Sequence, residues 1–216
     1  MKLILPIFLI IFSTLELSGQ KLARGYYVDL NNDSIPAMFK IPRRMPDYLT
    51  DIFGKQMDFP NLKEEIEIVD HRGQVQRLTP RDIKSFAFTH GATEYKRHAK
   101  PVTEYNKKFL LPEIMGKKLR LYHYAIVHPG TAHHWNGSTA KGGSSPYKEY
   151  FWTFEKYDRS YLFLNSKMKK KEIVRKLKEF FHDSPRIQEL VDQKFKGFTF
   201  TSRPDHIRSI VESYNE

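Results

Sequence analysis

The sequence predicts an α+β fold, in which antiparallel β-hairpins form a sheet or a partly open barrel and two to three C-terminal α-helices follow. As far as residue 165, short extended runs alternate with clusters of turn residues, a pattern typical of hairpins. From Lys167 onward the apolar residues recur with a helical period instead. Strands first and helices last indicate an α+β protein.

The first hairpin is predicted by residues 25–30 and 35–41, two extended runs that flank the turn cluster Asn31-Asn32-Asp33-Ser34. Pro36 lies in the second run and removes one ladder donor, so we expect this strand at a sheet edge. An edge strand can pair with another protein, and a structural interaction module is therefore one hypothesis for the function.

A second hairpin is predicted where residues 65–69 alternate charged and apolar side chains, 70–73 supply turn residues and 75–78 resume the strand. Thr79-Pro80-Arg81-Asp82 then predicts a capped single turn. The remaining predicted strands are 83–88, 95–102, 118–127, 148–157 and 161–165, of which the last two form a third hairpin.

Helices are predicted after residue 166. The first carries an apolar stripe at helical spacing, made of Ile173, Val174, Leu177, Phe180 and Phe181. The second is expected to begin at Ser184-Pro185, because a cap residue followed by proline is typical of a helix start. A third is expected after Ser202-Arg203-Pro204.

The N-terminus has the features of a secretory signal peptide. Lys2 precedes an unbroken apolar run at 3–12, and the small residues Ser18 and Gly19 follow. The run is too short to span a bilayer, so we expect cleavage near Gly19 and export to the periplasm or the cell exterior. The predicted organisation is a signal peptide at 1–19, a β-rich domain at 20–165 with a loop at 128–146, and a helical segment at 166–216 packed on that domain.

The chain contains no cysteine among its 216 residues. In an exported protein this excludes a disulfide framework and a lipid-bearing cysteine, so the mature protein is predicted to be soluble. No second apolar run approaches the ~20 residues of a membrane helix, and no transmembrane segment is predicted in the mature chain. These features favour a bacterial envelope over an animal secretory pathway.

Lysine and arginine outnumber the acidic residues, 36 to 25, which gives a formal net charge of +11. A basic surface attracts anions, and outside the cytoplasm these are lipid headgroups, acidic glycans and cell-wall polymers. The predicted partner is therefore an anionic envelope component or another envelope protein, whereas nucleic acid is less available there. The alternative is that the charge only keeps the protein in solution.

One histidine cluster supplies the candidate metal ligands, His123, His128, His133 and His134. Because neutral imidazole is a common zinc ligand, the cluster predicts a metal-dependent hydrolase as the alternative function and zinc as the alternative cofactor. Against a metal, the chain lacks a His-Glu-x-x-His signature, and no carboxylate lies between Leu119 and Tyr147. An exposed loop that is incidentally rich in histidine is the simpler interpretation, and it predicts no cofactor.

The predicted loop at 128–146 is the longest stretch without periodicity, and loops of more than about 15 residues are usually functional or disordered. Trp135 and Lys141 are its candidate ligand-binding residues. An exposed indole can stack on a sugar or on an aromatic side chain of a peptide, and the lysine adds to the basic surface. The alternative is that Trp135 folds back as a hydrophobic anchor of the loop.

The sequence carries no signature of nucleophilic catalysis: it has no Gly-x-Ser-x-Gly elbow and no Ser-x-x-Lys followed by Lys-Thr-Gly. Gly142-Gly143-Ser144 also lacks the lysine of a phosphate-binding loop. No catalytic residue is therefore predicted. The leading hypothesis is a non-enzymatic binding or interaction protein of the cell envelope.

Several ordered segments carry a resemblance to a known group of proteins. They are Gly25-Tyr26-Tyr27-Val28 before the first turn, residues 78–86 and residues 181–185 in the helical tail. With the signal peptide, this order resembles the small exported β-rich proteins of unknown function that are common in Bacteroidota-type gram-negative bacteria. Their first turn is usually Gly-Asp-Thr-Ile before another glycine, where this chain has residues 32–36 as Asn-Asp-Ser-Ile-Pro. The resemblance implies an exported location and a β-rich first half, and it implies no catalytic residue.

Overall fold

The computed structural model describes residues 21–41, 60–70, 72–90, 93–128, 147–196 and 203–216. The predicted signal peptide at 1–19 and most of the predicted loop lie outside these residues. The chain divides into two compact units, Met1–Lys96 and Arg97–Glu216, which are described in turn.

The first unit is built from antiparallel hairpins. Its strands are β1 (Lys21–Asp29), β2 (Ser34–Ile41), β3 (Ile66–Val69), β4 (Val75–Leu78) and β5 (Ile83–His90), with a 3₁₀ turn at Pro60–Lys63 before β3. The strand order is β5-β1-β2-β3-β4. Phe39, Phe86 and Phe88 stack on one another and are almost fully buried. This aromatic cluster is part of the buried core of the unit.

The first hairpin is confirmed, together with its turn. Oδ1 of Asp29 accepts hydrogen bonds from the backbone N–H groups of Asn31 and Asp33, both at 2.8 Å. The prediction of an edge position for β2 is wrong, because β2 pairs with β1 and also with β3. The β3 ladder joins β2 only at residues 38–39, so Pro36 lies beyond it and its missing donor interrupts no described pairing on that side.

The second unit begins within β6 (Thr93–Pro101) and continues through β7 (Lys107–Met115), β8 (Leu119–His128), β9 (Tyr147–Lys156) and β10 (Tyr161–Asn165). The order is β10-β9-β8-β7-β6, and the described pairings are antiparallel. Strand β7 was not predicted. It changes partner along its length, since 107–110 pair with β6 and 111–115 pair with β8, with a register shift between Pro112 and Ile114.

In the described part of the chain, three helices follow the strands and confirm the predicted α+β class: α1 (Lys170–Phe180), α2 (Pro185–Phe195) and α3 (Arg203–Asn215). The predicted stripe of α1 packs inward, with Ile173, Leu177 and Phe181 fully buried. They share one apolar cluster with alternate residues of the strands, among them Leu121 and Phe154. Fully burying side chains of this size stabilises the fold by ~1.5–3 kcal/mol each. Within the described part of the chain, none of the helices is both long and apolar enough to cross a membrane.

Candidate anion-binding cleft

Two tight turns lie side by side at one end of the strands in the second unit. One joins β7 to β8 at residues 116–118, and the other joins β9 to β10 at 157–160. They are adjacent because β8 and β9 pair along their lengths, so that Leu119 lies opposite Lys156. The backbone N–H of Tyr157 also donates to the carbonyl oxygen of Lys118 at 3.1 Å. Side chains from the two turns are therefore close to one another at this end of the strands.

These turns and the adjoining strand residues enclose a cavity of about 130 Å³, which we call the basic cleft. Its lining residues are Lys117, Lys118, Arg120, Glu155, Lys156, Tyr157 and Arg159. Five of these seven side chains are cationic and one is a carboxylate. Such an excess of one charge focuses an attractive potential for anions in the concave space.

The turn between β9 and β10 requires an unusual backbone conformation at a cationic residue. Arg159 has φ of 66°, in the left-handed region that glycine and asparagine adopt more readily. Oδ1 of Asp158 accepts a hydrogen bond from the N–H of Ser160 at 2.9 Å, and the N–H of Arg159 donates to the carbonyl of Lys156 at 3.0 Å. These bonds fix the turn that presents Arg159 to the cleft.

The negative charge of Glu155, the carboxylate of the cleft, is already balanced by a neighbouring lysine. Nζ of Lys100 lies 2.8 Å from both of its oxygens, and the hydroxyls of Tyr122 and Tyr161 donate to them at 3.1 Å. Burial acts to raise the pKa of Glu155, but Lys100 and the two phenols outweigh it, and the pKa is held below its usual range. Glu155 therefore stays ionised at neutral pH, and its charge is balanced inside the protein.

The five cations of the cleft differ in how far they are committed to other groups. Lys156 is nearly buried and donates to the carbonyl of Phe180 at 2.7 Å and to Asp183 at 2.8 Å. Arg120 is opposite Glu155 across the strand pair, 3.8 Å from its Oε2. Lys117, Lys118 and Arg159 are exposed and form no ion pair with any residue in the described ranges. Those three side chains are the ones available to a ligand.

Of the predicted metal ligands, only His123 has a described side chain. It lies on β8, with Nδ1 3.1 Å from Oε2 of Glu113. Glu113 also receives Arg208 of α3. Burial acts to raise the pKa of Glu113, but His123 and Arg208 outweigh it, and the pKa is lowered. The sequence analysis missed this partner because Glu113 lies on the unpredicted strand β7.

The remaining predicted site residues lie at or beyond the limits of the described chain. His128 ends β8, and its side chain is not among those described. His133, His134, Trp135 and Lys141 lie outside the described residues. Within the described ranges, no three histidine, aspartate or glutamate side chains are grouped as metal ligands. The metal site and the ligand-binding loop therefore stay predictions.

Comparisons with protein-family models, curated proteins and solved structures find no significant match. The resemblance to exported proteins of Bacteroidota-type bacteria therefore stays a prediction, and the function has to be inferred from the geometry of the chain itself.

Sequence reasoning did not identify the residues of the basic cleft. Lys117, Lys118 and Arg159 stand at the tips of predicted strands, where charged residues are ordinary. The signal that could have identified them is the adjacency of the two turns, which follows once strands 118–127 and 148–157 are taken as an antiparallel pair. That pairing was not assigned from sequence because the intervening 128–146 segment is far longer than a hairpin loop.

Proposed function

We propose that this is an exported, non-enzymatic protein of the bacterial envelope that binds an anionic envelope component through the basic cleft. The observation that carries the proposal is the convergence of Lys117, Lys118 and Arg159 around one cavity whose carboxylate, Glu155, is already balanced by Lys100. The uncompensated charge of the cleft is positive. A ligand that supplies negative charge completes the site.

The chemistry of these three side chains supports binding. Lysine and arginine are donors that carry full charge at neutral pH, and their hydrogen bonds to anionic oxygens are about twice as strong as neutral ones. The net charge of +11 acts in the same direction, because it raises the local concentration of anions before they reach the cleft.

The experiment compares two variants of equal charge. The first, Lys117→Gln/Lys118→Gln/Arg159→Gln, removes three charges from the cleft. The control, Lys169→Gln/Lys170→Gln/Lys171→Gln, removes three exposed charges at the start of α1. Binding of the mature protein to an immobilised sulfated polysaccharide is measured at about 50 and 200 mM salt, because charge-driven association weakens as salt screens it. We expect the cleft variant to bind at least ~10-fold more weakly than the control. Equal losses in both variants would show that net charge alone binds the polymer, which contradicts the proposal.

Export is tested separately from binding. Expression of the full chain in a gram-negative host, followed by fractionation and mass determination of the processed protein, locates the mature N-terminus. We expect the periplasmic or secreted form to begin near Gln20. Retention of residues 1–19 in an unprocessed cytoplasmic protein would contradict the proposed location.

A further inference from the structure

The free side chains of the basic cleft can donate hydrogen bonds to a ligand. A carboxylate has about four acceptor positions, two on each oxygen. Oε1 of Glu155 accepts from Lys100 and Tyr161, and Oε2 accepts from Lys100 and Tyr122. The acceptor positions of Glu155 are thereby filled, and its charge is balanced. A ligand group that fits the cleft therefore supplies acceptors and is not required to donate.

The arrangement of the free cations favours a tetrahedral anion over a planar one. Lys117 and Lys118 come from one turn and Arg159 from the adjacent turn, so three separate side chains line the same cavity. A carboxylate presents two oxygens in one plane and matches a single arginine fork. A phosphomonoester presents three acceptor oxygens in different directions and carries about −1.5 to −2 charges at neutral pH.

The size of the cleft limits how much of a ligand it can hold. Its volume of about 130 Å³ is well below the ~300–1,000 Å³ of sites that enclose a whole small molecule. A space of this size admits a small anionic group but not a whole metabolite. The rest of the ligand must then lie outside, where the ring of Tyr157 is 88% exposed at the rim.

We propose that the basic cleft binds the terminal phosphoryl group of a phosphomonoester, with Lys117, Lys118 and Arg159 as its donors. This deepens the proposed anion-binding function and rests on it. The phosphoryl group is carried by a lipid headgroup or by a soluble phosphorylated sugar or polyol. Arg120 adds a fourth donor from the strand, held near the cleft by Glu155 at 3.8 Å.

The test uses charge-matched probes on the mature protein. Isothermal titration compares glycerol 3-phosphate with malonate, a dianion whose charges are both carboxylates. Vesicles of phosphatidylcholine containing phosphatidic acid present the same phosphomonoester on a membrane. The cleft variant Lys117→Gln/Lys118→Gln/Arg159→Gln and the α1 control triple are measured in parallel. We expect a phosphomonoester to bind at least ~10-fold more tightly than malonate, and the cleft variant to lose at least ~10-fold while the control stays within about twofold.

The outcomes separate this proposal from the anion-binding function. Tight binding to vesicles but weak binding to glycerol 3-phosphate supports a lipid source, and the reverse supports a soluble one. Equal affinities for malonate and glycerol 3-phosphate, both weakened in the cleft variant, overturn phosphoryl recognition and leave anion binding intact. Phosphomonoester binding that is absent, or that the cleft variant leaves unchanged, overturns this proposal. If the cleft variant also binds the sulfated polysaccharide as the control does, the proposed function fails with it.

Discussion

The side-chain amide of Asn215 pairs with both backbone polar groups of Leu119. Its Oδ1 accepts from the N–H of Leu119 at 3.0 Å, and its Nδ2 donates to the carbonyl oxygen of Leu119 at 2.9 Å. The amide thus occupies the place of a neighbouring strand at the start of β8 and attaches the last turn of α3 to the sheet of the second unit.

Replacement of Asn215 by alanine is expected to lower the free energy of unfolding by about 2 kcal/mol, because two backbone groups of the buried Leu119 lose their partners. Urea denaturation measures the change. The matched control is Glu212→Ala, an exposed position on the same helix, expected within about 0.5 kcal/mol of the unsubstituted protein. A loss no greater than that of the control would show that water replaces the amide without cost.

The side-chain amide of Asn215 occupies the space next to Gly116 where a β-carbon would otherwise lie. Any larger residue at position 116 would therefore overlap that amide. Gly116→Ala is therefore expected to cost about 1–3 kcal/mol through overpacking. In an Asn215→Ala background the overlap is gone, so the two losses should not add. A double-mutant cycle from urea denaturation measures the coupling, and strict additivity would contradict the predicted overlap.

Glu113 makes the stability of the protein sensitive to pH in the acidic range. Its lowered pKa means that the folded state holds this carboxylate ionised, so its contribution is present at neutral pH and is lost as the pH falls through the folded-state pKa, below the ordinary value of about 4.3. Glu113→Gln should therefore destabilise strongly at about pH 7 and much less at about pH 3. Thermal unfolding across this range measures the difference, with exposed Glu104→Gln as the control. Equal losses at both ends would contradict the predicted linkage.

Tyr161 should titrate at unusually high pH. Burial, followed by the charge of Glu155, raises its pKa to about 12. Because the raised pKa favours the neutral phenol in the folded state, its contribution to stability is complete below about pH 10 and is lost as the pH rises toward 12. The absorbance difference between the unsubstituted protein and Tyr161→Phe should appear with a midpoint near 12. A midpoint near the ordinary value of about 10 would be inconsistent with the partly buried hydrogen bond to Glu155.

Lys156 is expected to stabilise the fold through contacts within the protein. Its ammonium lies 4.8 Å from the ring centre of Phe180 and caps the C-terminus of α1 through the Phe180 carbonyl. Lys156→Met keeps the apolar stem but removes these contacts, and should cost about 2 kcal/mol by urea denaturation. The control is Lys170→Met, an exposed lysine at the start of α1. An unchanged unfolding midpoint in Lys156→Met would show that these contacts do not stabilise the fold, which contradicts the prediction.

Local patterns were sufficient to predict most of the fold. The turn residues 31–34 and the period of residues 173–181 specify a hairpin and a helix within a few residues of chain, so the sequence alone reveals them. Strand β7 was missed because its run Phe109-Leu110-Leu111 is not alternating and is followed by Pro112, which argues against a central strand. The proline is tolerated because β7 has exchanged β6 for β8 as its partner there.

The candidate site was much less predictable, since it depends on residues distant in sequence. Arg120 and Glu155 are cross-strand partners separated by the long 128–146 segment, and Lys100 reaches Glu155 from a third strand. Periodicity indicates which face of a strand is buried, but it does not identify which charges will meet. The histidine cluster was predicted as a metal site because its members are close in sequence. The one member whose side chain is described, His123, lies 3.1 Å from Glu113 of another strand.

The left-handed backbone of Arg159 sets the stability of the turn against the proposed anion binding at a single position. A residue with a side chain in this backbone conformation destabilises the turn by about 1 kcal/mol relative to glycine. Glycine at position 159 would therefore relieve this strain. Glycine would also remove one of the three free cations of the cleft. The turn therefore combines a conformational cost with a guanidinium that lines the cleft. Under the proposed function, a substitution selected only for thermal tolerance is expected to weaken anion binding here.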